Sequence, residues 1–219
     1  MSDNFKGFDK ETNNFLFGLQ FCNTNDRQSE NLVKYKKYIT EPINLLYFDL
    51  LETVNQFDMD FETKPARCIS TPYTDRRFSP NEPLKEYMYL RFRQASRKTN
   101  ILGLYFDMGC DAYGYGLKIY KPNSKDMDLL REKISENYKL YSKLIDDLIL
   151  KGFEITGEKY KKDHNSNIPE CSAKELLNRK CFSISKTKSV NESVYTQELE
   201  TELSNAFMDL KEFVELLAR

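Results

Sequence analysis

The chain has 219 residues, of which 40% are apolar and 31% charged, and its net charge is −1. It is long enough to bury a substantial core as one domain, and its balanced charge rules out a global field toward nucleic acid or an anionic membrane. No apolar run approaches the length of a membrane span, and the N-terminal MSDNFKGFDKE has no apolar signal core. The expectation is a cytoplasmic protein of one domain, with residues 1–10 a loose lead-in. Five cysteines, Cys22, Cys68, Cys110, Cys171 and Cys181, are odd in number and widely spaced with no CxxC pair, which reads as buried free thiols in a reducing compartment.

Glu11 to Cys22 carries Phe15, Leu16 and Leu19 at helical spacing. Asn23 to Asn31 is a turn-rich break. A second helical pattern then runs through Tyr35, Tyr38 and Ile39 to Ile43, Leu46, Leu50, Val54 and Phe57. Pro42 inside it either opens a new helix behind Thr40 or kinks a longer one. Ala66–Ser70 is a short strand candidate, and Thr71–Lys85 a loop with Pro72, Pro80 and Pro83. From Glu86 to Gln94 the pattern alternates: Met88, Leu90 and Phe92 face one way, and Tyr87, Tyr89, Arg91 and Arg93 the other. Ser96–Asn100 makes a turn, and Ile101–Met108 and Tyr113–Tyr120 read as two further strands.

Ser124 suits a helix N-cap, with Asp126 and Asp128 in the first turn. The helix is expected to continue through Leu130, Ile134, Tyr141, Leu144 and Leu148 to about Lys151, with Gly152 ending it. GFEITGEKYKK, Gly152 to Lys162, reads as a short strand running into a basic turn. SAKE at Ser172 fits a capping box for a short helix through Leu177, and CFSIS is one more strand. The last helix shows Leu199, Leu203, Ala206, Leu210, Phe213 and Leu217 as an apolar stripe. The order of helices, strands with short connections, and helices predicts an α+β fold: an antiparallel meander with helices packed on one face, and helical segments at both termini.

The stretch YTDRRFS, Tyr73 to Ser79, concentrates the candidate chemistry. Between Lys64 and Lys98 there are nine basic residues against three acidic ones, a surplus of six. Arginines suit planar, two-pronged recognition of carboxylate or phosphate. If Arg67, Arg77, Arg91 and Lys85 converge they make an anion site; if they pair with Asp75, Glu82 and Glu86 they are surface ion pairs. Asp75 and Tyr73 are the acid–base candidates, and Asp75 equally suits a role orienting Arg76 and Arg77. Gly114 and Gly116, inside the strand pattern AYGYGLKIY, mark a close backbone approach either to another element or to a ligand. Lys159, Lys161 and Lys162 form a second basic cluster. His164 is the only histidine, and with no second His or Cys at ligand spacing no metal site is expected.

With these residues in view, the chain resembles the uncharacterised domain-of-unknown-function family numbered 2461. The resemblance rests on Arg67, Tyr73, Asp75, Arg77, Phe78, Ser79, Pro83 and Lys85. Asn25–Arg27, Tyr35, Glu41–Pro42, AYGYGLKIYKP, Gly157–Lys162, LLNRKCF and the final helix support it in colinear order over roughly Asn25 to Ala218. The chain departs from the family in lacking the Trp-Phe pair after the N-terminal Asn-x-Arg. The spacings from Asn25 to Pro42 and around Ser79–Lys85 are also shortened, as in a divergent member. The resemblance implies a single-domain intracellular protein and implies no activity, cofactor or partner.

Two functional expectations follow. One is a site for a small anionic ligand, binding or catalytic, using Arg67, Tyr73, Asp75, Arg77, Ser79, Lys85 and Arg91 with backbone access at Gly114 and Gly116. The other is a non-catalytic module whose basic, tyrosine-rich sheet face docks an acidic protein segment or, less readily, single-stranded nucleic acid.

Overall fold

A computed structural model describes residues 4–24, 27–73, 83–95, 102–120, 122–163 and 167–218. The fold is α+β, with helices on one face of a five-stranded antiparallel sheet. The sheet is built from β1 (Met88–Arg93), β2 (Leu102–Met108), β3 (Ala112–Ile119), β4 (Glu154–Thr156) and β5 (Ser183–Ser189), in the order β1-β2-β3-β5-β4. The expected meander is β1 to β3. The later strand β5 then pairs with β3, and the short β4 closes the far edge. Alternation in β1 is reproduced by burial, with Met88, Leu90 and Phe92 inside and their neighbours half-exposed. Register carries the same face across the sheet, Leu90 opposite Phe106 and Phe106 opposite Tyr115.

Helix α1 (Lys10–Cys22) starts behind Asp9, whose carboxylate accepts from the Glu11 amide. The second helical pattern is one continuous rod in three parts: α2 (Gln28–Tyr35), a π-helical segment (Lys36–Thr40) and α3 (Glu41–Val54). Helix therefore begins inside the expected turn-rich break. Pro42 lies in the first turn of α3, where its missing N–H is tolerated best. The Tyr38 carbonyl, four residues earlier, accepts the hydroxyl of fully buried Thr12 at 2.9 Å.

Several expectations are corrected. Residues 4–9 are not a loose lead-in. Phe5 and Phe8 are in the core, and the Phe5 amide donates to Asp49 Oδ2 at 2.8 Å. Ala66–Ser70 is not a strand: Pro65 opens a single helical turn, α4 (Pro65–Cys68), after which Ile69 bridges to Leu90 and Ser70 bonds Tyr89 on β1. The expected long helix from Ser124 is two, α5 (Ser124–Glu136) and α6 (Tyr138–Leu150), separated at Asn137. Asn123, not Ser124, is the N-cap, in a reciprocal capping box with Asp126. Gly152 does end α6, where the Gly152 and Phe153 amides close on Ile149 and Leu148. At α7 (Ser172–Leu177) no capping box forms, because Cys171 is the N-cap and the Ser172 hydroxyl turns to Asp146 on α6. All five cysteines are free, but only Cys68 is buried.

The final helix α8 (Glu198–Ala218) lies on β2 and β3 and against α3, and every residue of its expected stripe is buried. Its polar tie to the sheet is Glu202. That carboxylate accepts the Tyr115 hydroxyl at 2.5 Å and pairs with Lys188 at 2.8 Å. No helix is long and apolar enough to cross a membrane among the described residues.

Candidate functional site

The second face of the sheet gathers polar and cationic groups by strand parity. Along β1 it carries Tyr89, Arg91 and Arg93. Opposite them on β2 stand Asp107, Tyr105 and Gly103, and opposite those on β3 stand Gly114, Gly116 and Lys118. Tyr120, just past β3, continues the same parity. This face is partly shielded: Tyr105 is 8% exposed and Ser185 6%, Tyr89, Arg91 and Asp107 are half-buried, and Lys118 is exposed. The half-buried charges there, Arg91 and Asp107, are screened less than surface charges.

Tyr89 is the hub. The Arg91 guanidinium carbon lies 3.7 Å from its ring centroid and the Lys85 ammonium 5.2 Å, so two cations share one ring. Arg91 is also 5.3 Å from the Tyr120 ring, and Lys118 stands 5.9 Å from that of Tyr105. Lys85 is placed by a two-residue tie: its amide bonds the Pro72 carbonyl, and its ammonium donates to the Thr71 carbonyl at 3.1 Å. Burial, and then the neighbouring Arg91 charge, push the Lys85 ammonium below its ordinary pKa. Among the described residues no carboxylate forms an ion pair with Lys85, Arg91 or Lys118.

Asp107 is the acid on this face. Burial pushes its carboxyl above the ordinary aspartate value, while Lys118, Arg91 and a bond with the Gly114 backbone pull it back. Burial raises the Tyr105 hydroxyl pKa, and the neighbouring Ser185 side chain offsets part of that. The Tyr120 hydroxyl is buried and has no hydrogen-bond partner among the described residues.

The expected site residues fall into three groups. Lys85 and Arg91 come together, as anticipated. Arg67 sits on α4 and is taken up by Glu62 at 2.5 Å. Tyr73 pairs its backbone with Leu84, and its ring packs against the core. Asp75, Arg77 and Ser79 lie outside the described residues, as does His164. The glycines divide too. A Cβ on Gly116 would stand 2.3 Å from the Ile184 carbonyl, and its φ is +151°, so the close approach of β5 explains it. A Cβ on Gly114 would stand 3.1 Å from Asp107 Oδ1, so this glycine gives the carboxylate its room. Tyr105, Asp107, Lys118 and Tyr120 were missed. The signal for them was parity: in β2, Gly103, Tyr105 and Asp107 alternate with Leu102, Leu104, Phe106 and Met108.

Of the second basic cluster only Lys159 is in an ion pair among the described residues; Lys161 and Lys162 are not. Lys159 pairs with Glu175 at 3.1 Å, and Lys174 with Asp163 and Glu170. Beside it, Arg179 is a structural staple: it is 7% exposed and donates to the Ile155 carbonyl at 3.0 Å, to Glu175 at 2.8 Å and to the Gly157 carbonyl. Among the described residues no three His, Cys, Asp or Glu side chains cluster as a metal site would require.

Fold and face together define an α+β protein with a cationic, tyrosine-lined sheet face. The sequence matches the family described as conserved hypothetical protein (DUF2461) over residues 11–216, and the chain belongs to that family. No curated protein matches it.

Proposed function

We propose that the sheet face around Arg91 binds a small anion bearing phosphate or carboxylate groups, held between Arg91 and Lys85. One observation carries this reading: two cations rest on the single ring of Tyr89 with no acid paired to either among the described residues. Burial first, and then the like charge of Arg91, lower the Lys85 pKa, and an anion between the two cations offsets both costs. Cation–π contact holds the guanidinium in place before the ligand arrives, so less ordering is needed on binding. Asp107, with its raised pKa, is the group on this face suited to exchanging a proton with a bound ligand.

The rival reading, stacking of single-stranded nucleic acid, needs exposed ring faces. Arg91 already covers Tyr89, and Lys118 stands over a Tyr105 ring that is nearly buried.

The test is a thermal-shift screen of wild type and Arg91→Gln against inorganic phosphate, phosphorylated sugars, nucleotides, di- and tricarboxylates and short oligonucleotides. A ligand that binds only the folded state raises the melting point by mass action. A small anion is expected to raise the melting point of the wild type and to leave Arg91→Gln unmoved. An oligonucleotide as the sole hit, or a small-anion shift of equal size in Arg91→Gln, overturns the proposal.

A further inference from the structure

Away from the sheet face, α1 and the start of the long helical rod line an open cavity of about 280 Å³. Its floor is apolar, formed by Phe15, Leu19 and Tyr38. Two contacts fix that floor. Phe15 meets the buried Tyr35 ring edge-on at 6.2 Å, and Thr12 on α1 binds the Tyr38 carbonyl within the π-helical segment. The extra residue of a π segment shifts helix register locally and recurs at functional sites.

Gly18 stands in the middle of α1, on the cavity wall. A Cβ there would meet nothing within 4 Å. Glycine inside a helix is unfavourable relative to alanine, and no neighbour needs the space. The missing side chain leaves that wall of the cavity open.

The charges at the rim are unevenly committed. Glu30 is held by Lys34 at 2.6 Å, and Glu11 accepts from the Asn14 amide at 3.1 Å. Arg27, which also lines the cavity, has no carboxylate in ion-pair contact among the described residues. Arg27 feels the charge of Glu30 without ion-pair contact, and a guanidinium beside an apolar floor suits an anion with an apolar body, its fork matching a carboxylate.

We propose that this cavity binds a small organic carboxylate, its apolar body on Phe15, Leu19 and Tyr38 beside Gly18 and its carboxylate on Arg27. The volume equals that of roughly nine waters and lies just below the range of drug-sized sites, so the ligand is small, with about ten heavy atoms.

Octanoate and 1-octanol are the probes, titrated calorimetrically into the full chain. Wild type is expected to bind octanoate saturably at millimolar concentration or below, and octanol at least tenfold more weakly. Gly18→Leu, whose side chain fills the cavity, should keep the helical circular dichroism spectrum and lose octanoate binding at least tenfold. Arg27→Gln, an exposed substitution that leaves the fold alone, should weaken octanoate about tenfold and leave octanol unchanged. Arg91→Gln should bind octanoate as wild type does, which separates this site from the sheet face. Equal affinity for octanoate and octanol, undiminished binding by Arg27→Gln or by a folded Gly18→Leu, or no saturable binding by wild type overturns the proposal.

Discussion

The Thr12 hydroxyl reaches from α1 to the Tyr38 carbonyl at 2.9 Å, inside the π-helical segment that runs up to Pro42, a residue with no N–H to give the helix. The proline thus sits within a rod running from Gln28 to Val54. Thr12→Val keeps the shape and leaves a buried carbonyl unpaired, so it should cost about 1–3 kcal/mol in urea unfolding. Adding Pro42→Ala returns a backbone donor. The double variant should therefore lose less than the sum of the singles, and strict additivity would show that the two positions are uncoupled.

Tyr115 and Glu202 join sheet to helix, and they contribute to stability in a way that is lost at alkaline pH. Burial, and then the Glu202 hydrogen bond, push the Tyr115 hydroxyl well above its ordinary value of 10.0. The Lys188 ammonium is raised by its bond to the same carboxylate. Both folded values lie above the unfolded ones. Their contribution is therefore fully present below about pH 10 and lost as pH rises through the folded values. Tyr115→Phe should cost about 1–2 kcal/mol at pH 7 and show a shallower fall in stability from pH 9 to 11 in urea titrations than wild type. An unchanged alkaline slope would place the titration elsewhere.

Three glycines should respond differently to the same added methyl. Gly116→Ala forces a Cβ against the Ile184 carbonyl at an unfavourable φ, and should cost about 3 kcal/mol or more. Gly18→Ala meets open space in a helix and should gain about 0.5–1 kcal/mol. Gly114→Ala crowds only Asp107 Oδ1 and should fall between them. Chemical denaturation of the three variants gives the ranking directly.

Asp107 should be a net cost to the fold at neutral pH. Its folded pKa is raised, chiefly by burial, so protonation favours the folded state. Its contribution improves as pH falls through that raised value and is complete below the unfolded 3.8. Asp107→Asn should then melt higher than wild type at pH 7 and nearly with it at pH 3. Removing this negative charge should also tighten phosphate binding several-fold. A lower melting point at pH 7 would mean that Asp107 is held by its cations more than it is penalised by burial.

Much of this fold was legible because its cores are periodic. The β1 alternation and the α8 stripe each name a buried face that the structure reproduces residue by residue. Local patterns failed where distant partners decide. The apolar spacing continues from Leu130 and Ile134 to Tyr141, so the break at Asn137 leaves no periodic trace. Ser172 has the sequence of a cap, but Asp146 on α6 claims its hydroxyl. The candidate site was legible in part. Arg91 and Lys85 stood out by charge, whereas Asp107 and Lys118 join them only once β1, β2 and β3 are set in register. Arg67 carried the same charge signal and is committed to Glu62.

The measurement that tests the anion site most directly is a titration of isotope-labelled protein with inorganic phosphate, followed by amide chemical shifts in wild type and Arg91→Gln. The account predicts saturable shifts centred on Arg91, Asp107 and Gly114 in the wild type, and their loss in the variant. Shifts centred on Lys159–Lys162, or identical shifts in both proteins, would contradict it.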